Sequence, residues 1–415
     1  MNETALLKYD NMLQSMKDAG VEVWLSIDVA GVDFPAIYKE EFGAWLDERM
    51  VNEYVSWATF LFDRYSSQVT NWFSFHEPDT FCSTVVNTWR YNAPRPNEND
   101  TTTMDYQHDH YNCIHNMLRG HARFSRHIKA SGLENATLSI ISGADWPIPN
   151  TESDADIAAS DRLMIWQLGS WIEPTVTGDY PPEMRAAAGD RLPQFTNEEK
   201  EMLKNSSTYA GVDHYTNQIV EAKDVDNVYC EYNVSSLQDA MTSDICINYY
   251  LDCDDERCGP LVNPEGGDKM SYFRRYPEGL GNVLRWMGKR WPGMKLLVAE
   301  NGVGLDECSN GDVFSSGDVE CSVNDDYRVQ FLTDYWSEAY KAKVEDGVNL
   351  AGIFHWSFLD NLEWGSGYAS HFGLVHVDHT TDELKRTVKK SGHWFSDVVK
   401  EGGFVVDDDK QRKAK

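Results

Sequence analysis

The chain has 415 residues, with 67 acidic against 37 basic side chains and a formal net charge of −30. That length suits one α/β barrel with enlarged loops as well as two or three average domains, and the charge argues against phosphate backbones and anionic lipid as partners. With 41% hydrophobic and 12% aromatic residues, 14 of them tryptophan, the chain can bury a large core and is not disordered in bulk.

In chain order, ALLKYDNMLQSMKDA (5–19) has helical spacing and stops at Gly20, and VEVWLSIDV (21–29) reads as a buried strand. The same helix-then-strand order recurs. YVSWATFLFDRYSS (54–67) precedes NWFSF, HNMLRGHARFSRHIKASG (115–132) precedes ATLSIISG, and NEEKEMLKNS precedes TYAGVDHYT. GLGNVLRWMGKRWPG then leads to MKLLVAENG, and DDYRVQFLTDYWSEAYKAKVEDG to NLAGIFHWSFLDN. Short strands that are apolar on both faces and follow amphipathic helices predict a parallel sheet of six strands. Between them lie irregular loops, notably 84–110 and 221–270. No repeat or linker divides the chain, so residues 1–400 are expected to form a single domain and 401–415 a polar tail.

Eight cysteines, none in a CxxC pair, read as disulfides rather than a zinc or redox site; proximity in sequence suggests Cys308–Cys321 and Cys253–Cys258. Five sequons, at Asn2, Asn99, Asn135, Asn205 and Asn233, favour a glycosylated, secretory or vacuolar protein. The opening MNETALLKYDNMLQSMKDAG lacks the regions of a signal peptide, so an incomplete N-terminus is expected, and no apolar run is long enough to span a membrane.

The strand ends carry the chemistry. They read SFHEP, VDHYT, VAENG and HWSFLDNLEW, and in a parallel barrel such ends face the catalytic mouth. Glu77 and Glu300 each close an apolar run and precede a turn, at Pro78 and at Asn301-Gly302. Two glutamates in one cleft can cleave a glycosidic bond, one protonating the leaving oxygen while the other attacks the anomeric carbon. Their roles need different environments: a raised pKa for the acid, ionisation for the nucleophile.

SFHEP and VAENG resemble the acid/base motif T-F/L-N-E-P and the nucleophile motif I/V-T-E-N-G of family-1 glycoside hydrolases. The resemblance continues through GDYPPEMRAAAGDRLPQFTNEEKEMLK (178–204), GVDHYT, WSFLDNLEWGSGYASHFGLVHVD (356–378) and LKRTVKKSGHWF (384–395). It implies a TIM (β/α)8-type barrel, here without its first two strand/helix units. It also implies retaining hydrolysis of a β-glucoside-like or galactoside-like substrate, with Glu77 as acid/base and Glu300 as nucleophile. By the same resemblance Tyr215 orients the nucleophile and Glu363 grips the sugar 4- and 6-hydroxyls. Trp364 lies by the 3-hydroxyl, Trp356 forms the sugar's floor, and Phe372 closes the pocket near C6. No metal or cofactor is implied, and the expected partner is a β-linked glycoside or oligosaccharide.

Several positions depart from that pattern. His76 stands where the motif has the asparagine that meets the 2-hydroxyl; imidazole there offers one hydrogen bond from a bulkier ring, and when protonated it would lower the pKa of Glu77. Asp213 and Ala299 replace an asparagine and a threonine. SIDVAGVDFP lacks the histidine of the family's third strand. A catalytically impaired member that binds carbohydrate or protein is therefore the competing reading. His115 and His355 receive no role.

Overall fold

The computed structural model describes residues 2–30, 34–85, 106–223, 244–250, 256–262, 273–305 and 319–404. Two compact units divide the chain. The first comprises residues 1–143, 151–212 and 221–248, and the second residues 144–150, 213–220 and 249–415. All six expected strands form; β2 runs one residue past NWFSF to His76, and the other five are shorter than their apolar runs.

In the first unit the strands are β1 (Trp24–Ser26), β2 (Asn71–His76), β3 (Thr137–Gly143) and β4 (Tyr209–Asp213), whose last residue opens the second unit. They are ordered as numbered, and β1–β2 and β2–β3 are parallel pairs. The helix Glu3–Asp18 leads to β1 and closes at Gly20, whose φ of 71° suits a residue without a Cβ. Helices Arg49–Tyr65 and Tyr106–Ser131 precede β2 and β3.

Every residue of β2 is buried. Its apolar members pack into aromatic layers: the Phe75 ring stacks on Tyr54 at 4.5 Å and meets Trp45 edge-on at 5.3 Å, and Trp72 packs on Phe62. Burying each of these rings contributes about 2–3 kcal/mol. The polar members of the strand are partnered, as burial requires. Asn71 bonds Thr137, Ser74 Oγ lies 2.7 Å from His121 Nδ1, and His76 Nδ1 lies 3.1 Å from Ser26 Oγ.

In the second unit β5 (Lys295–Glu300) and β6 (Leu350–Ile353) are parallel neighbours. Helices Pro277–Arg290 and Asp326–Val344 precede them. The sequence reads every strand as fully buried, but β1 and β6 are only partly so.

An ion-pair network ties down the chain after β6. Buried Asp360 accepts from Lys389 Nζ at 2.7 Å and from the Gly373 amide at 2.9 Å, with His371 Nδ1 at 3.2 Å and His376 Nδ1 at 3.3 Å. Burial alone would raise its pKa, but the two histidines and Lys389 overwhelm that penalty and hold the carboxyl far below the usual range. Arg328, itself fully buried, bonds Asp325 and the carbonyls of Val303, His371 and Gly373. The segment that holds Glu363 and Phe372 is thus anchored by paired charges on one side.

Cys82 and Cys113 form a disulfide, and Cys246 and Cys258 each take part in a disulfide. Cys253 and Cys308, and with them the two pairings suggested by proximity, lie outside the described residues.

Candidate active site

In the first unit, β2 ends at His76 and delivers Glu77. His76 is held on both backbone sides: its amide donates to the Asp28 carbonyl at 2.9 Å, and its carbonyl accepts from the Ala30 amide at 2.7 Å. Glu77 leaves the strand with φ 51°, a left-handed conformation that costs a residue with a Cβ energy and collects at functional sites. Its amide donates to the Ile141 carbonyl at 3.0 Å and its carbonyl accepts from the Thr80 amide at 3.1 Å. The sequence attributes the turn to Pro78, yet the reversal is made one residue earlier, at Glu77 itself.

The Glu77 carboxyl lies against β3. A Cβ on Gly143 would come within 3.3 Å of Glu77 Oε1 and 3.4 Å of Asp79 Oδ2, so this glycine is what leaves room for both groups. Asp79 Oδ1 accepts from Ser142 Oγ at 3.1 Å and from the Gly143 amide at 3.3 Å. Burial pushes the Asp79 carboxyl up to about 6, against these hydrogen bonds and the nearby His76 charge. Sequence reasoning passes over Asp79, although HEPD displays it two residues after the glutamate.

In the second unit, Glu300 ends β5. Tyr215 donates its hydroxyl to Glu300 Oε2 at 2.6 Å. The Tyr215 ring stacks on Phe273 at 5.5 Å and meets Phe372 edge-on at 6.1 Å. Backbone contacts fix the carboxylate's base: the His214 amide donates to the Glu300 carbonyl at 3.1 Å, and Asn301 Nδ2 donates to the His214 carbonyl at 2.9 Å. Gly302 serves close approach rather than a turn, because a Cβ there would fall 2.0 Å from the Trp356 carbonyl oxygen. Gly304 likewise makes way for the buried Phe372 ring.

Glu363 is buried, with Asn361 Nδ2 donating to Oε1 at 3.0 Å and the Trp356 indole nitrogen 3.3 Å from the same oxygen. Burial pushes its carboxyl up to about 7, those donors pull the other way, and the charges of Glu300 and Asp360 add to the rise. Trp356 is partly buried, whereas Trp364 is 59% exposed. Tyr215, Glu300, Trp356, Glu363 and Phe372 are therefore linked by contacts within one unit, and Trp364 presents its ring to solvent.

His115 and His355, which the sequence leaves without a role, are structural. His115 stacks on Phe195 at 4.4 Å with Nδ1 3.1 Å from the Tyr180 hydroxyl, and His355 Nδ1 lies 2.9 Å from the Asn301 carbonyl. The Asp360–His371–His376 cluster has ligand-type atoms in one place, but the Lys389 ammonium already supplies the carboxylate's counter-charge.

Parallel strands alternating with helices, and a glutamate delivered at each of two strand ends, define a hydrolase of the α/β-barrel class. The model of the family described as glycosyl hydrolase family 1 matches residues 1–404, and the chain belongs to that family. Beta-glucosidase 12 of Oryza sativa subsp. indica is 28% identical over 400 residues, covering 95% of this chain and 74% of its own length. Beta-glucosidase 32 of Arabidopsis thaliana is 29% identical over 411 residues, covering 97% and 73%. Among solved structures, a family-1 β-glucosidase from the fungus Humicola insolens in complex with glucose superposes with a TM-score of 0.78 at 25% identity, covering 97% of this chain and 80% of that one. A rice β-glucosidase structure gives 0.80 at 24% identity, covering 95% and 79%, and speaks for the fold. The fold is thus the family's TIM-type barrel, and the activity is hydrolysis of β-glycosidic bonds. No helix among the described residues is long and apolar enough to cross a membrane.

Proposed function

We propose that the protein is a retaining β-glycosidase in which Glu77 is the acid/base and Glu300 the nucleophile. The observation that carries this reading is the 2.6 Å bond from Tyr215 to Glu300 Oε2. A phenol donor stabilises the ionised form that nucleophilic attack requires, and it fixes the direction from which the carboxylate meets the anomeric carbon. Attack by Glu300 forms a glycosyl–enzyme ester as Glu77 gives its proton to the departing oxygen. Glu77 then takes a proton from the water that cleaves the ester, so configuration at the anomeric carbon is retained.

The substrate is a β-glucoside-like or galactoside-like compound. Glu363 receives its 4- and 6-hydroxyls, Trp356 supports the sugar face, Phe372 packs near C6, and His76 and Trp364 complete the polar and aromatic contacts. The sequons and disulfide-bonded cysteines suit a glycosylated protein of the secretory pathway or a vacuole. Replacing Glu300→Gln tests the assignment: hydrolysis of an aryl β-glucoside should fall by about three orders of magnitude or more. Turnover within tenfold of the parent protein overturns it.

A further inference from the structure

The turn that carries Glu77 is tied to more than the sheet. With φ 51°, Glu77 holds a conformation that persists in a residue with a Cβ only where the surroundings over-determine it. On the upstream side β2 supplies the restraint, through the backbone bonds of His76 and Glu77 to Asp28, Ala30 and Ile141. On the downstream side the chain leaves the sheet and winds into a short helical segment, Thr80–Val85. Asp79 ties its start to β3 through Ser142 Oγ and the Gly143 amide, at 3.1 and 3.3 Å. Cys82 ties its middle to the helix Tyr106–Ser131.

Three successive turns of that helix converge on Cys82. His110 Nδ1 lies 3.2 Å from the Cys82 carbonyl oxygen, Cys113 forms the disulfide, and Met117 Sδ lies 3.5 Å from Cys82 Sγ. Spacings of three and four residues place these side chains on one helix face. Both cysteines are buried, and neighbouring Phe81 packs edge-on against Phe34 at 5.8 Å. The disulfide joins positions 31 residues apart, so it fixes the turn to an element well removed in the chain.

We propose that Cys82 is a positioning residue for the acid/base: through its disulfide to Cys113 and its carbonyl's bond with His110, the helix Tyr106–Ser131 holds the turn in the form that aims the Glu77 carboxyl. The inference rests on the reading of Glu77 as acid/base. A disulfide ordinarily acts by restraining the unfolded chain. This one also restrains the folded chain a few residues after the group that transfers the proton, where relaxation of one left-handed residue would swing that carboxyl. Proton transfer needs hydrogen-bond reach to the leaving oxygen, and a misplacement of about 1 Å costs about 10²-fold. Losing the tie therefore harms the step that uses the proton and spares the attack of the nucleophile.

The test is kcat/KM of the full chain carrying Cys82→Ala and Cys113→Ala together, on two substrates. An alkyl β-glucoside needs a proton on its leaving oxygen, whereas a nitrophenyl β-glucoside does not. The alkyl value should fall by about 10–100-fold, and the nitrophenyl value far less. Equal losses on both substrates make the disulfide merely structural and overturn the proposal, as does the parent value on both. Should the double variant fail to fold, His110→Ala loosens the same turn with the disulfide in place. The alkyl value should then fall by about three- to tenfold with the nitrophenyl value nearly unchanged, and equal losses or parent values overturn the proposal equally. Failure of the underlying reading looks different: Glu77→Gln would then show no contrast between the two substrates, whereas a failed proposal leaves that contrast in Glu77→Gln intact.

Discussion

The ends of β2 and β5 begin from the same sequence pattern and finish as different chemical environments. Each is an apolar run closed by a glutamate and followed by a turn. At β2 the glutamate itself turns the chain, with φ 51°, and its carboxyl enters a space shared with Asp79. At β5 Glu300 is the last residue of the strand, and a tyrosine donates directly to the carboxylate. A nearby second carboxyl disfavours the ionised form of a carboxyl, whereas a hydroxyl donor favours it. If Glu77 is the acid and Glu300 the nucleophile, what surrounds each glutamate, and not the glutamate itself, sets them apart.

That contrast can be broken first at β2. Glu77→Gln should lower kcat/KM for an alkyl β-glucoside by about 10²–10⁴-fold, but kcat/KM for a nitrophenyl glucoside much less, because nitrophenolate departs without a proton. Steady-state rates on the two substrates check this, and equal losses on both would erase the difference between the two ends. At β5 the donor can be removed alone. Tyr215→Phe deletes one hydrogen bond to a charged group, worth about 1.5–3 kcal/mol, and should lower kcat by about 10–100-fold with the fold intact. A Tyr215→Phe protein with the parent kcat would leave Glu300 without its distinguishing partner.

The smallest effect concerns stability. Glu363 is raised to about 7 in the folded chain, so the folded state binds more protons than the unfolded one between the ordinary glutamate value and about 7. Its contribution is therefore favourable at low pH and is lost as pH rises through that window. Glu363→Gln, which cannot ionise, should raise stability at pH 8 by about 1–3 kcal/mol and change it little at pH 4, read from urea unfolding at the two values. Loss of stability at pH 8 would mean that the ionised carboxylate is held by more than Asn361 and Trp356.

The strands and both glutamates were legible because alternating helices and apolar runs set a parallel sheet, and strand ends are where its chemistry sits. Tyr215, Glu363 and Phe372 are named by the family resemblance, and the contacts of Tyr215 with Glu300 and Phe372 join elements far apart in the chain. What stayed hidden depended on close approach. Gly302 looks like an ordinary turn glycine, yet it is required because the Trp356 carbonyl oxygen lies 2.0 Å from the position of its Cβ, and at Gly143 a Cβ would meet Glu77 Oε1 tightly, at 3.3 Å. Asp79 was in view in HEPD, but only its bonds to Ser142 and Gly143, some 63 residues away for Ser142, turn it toward Glu77. The partial burial of β1 and β6 was likewise invisible, since an apolar run does not reveal how much of a strand its neighbours cover.

The central claim is that Glu300 attacks the anomeric carbon, and covalent trapping tests it most directly. After incubation with a 2-fluoro β-glucoside bearing a good leaving group, intact mass should show one added fluoroglycosyl group, and peptide mapping should place it on Glu300. An unlabelled protein that still binds glucosides, or a label on another residue, would contradict the account.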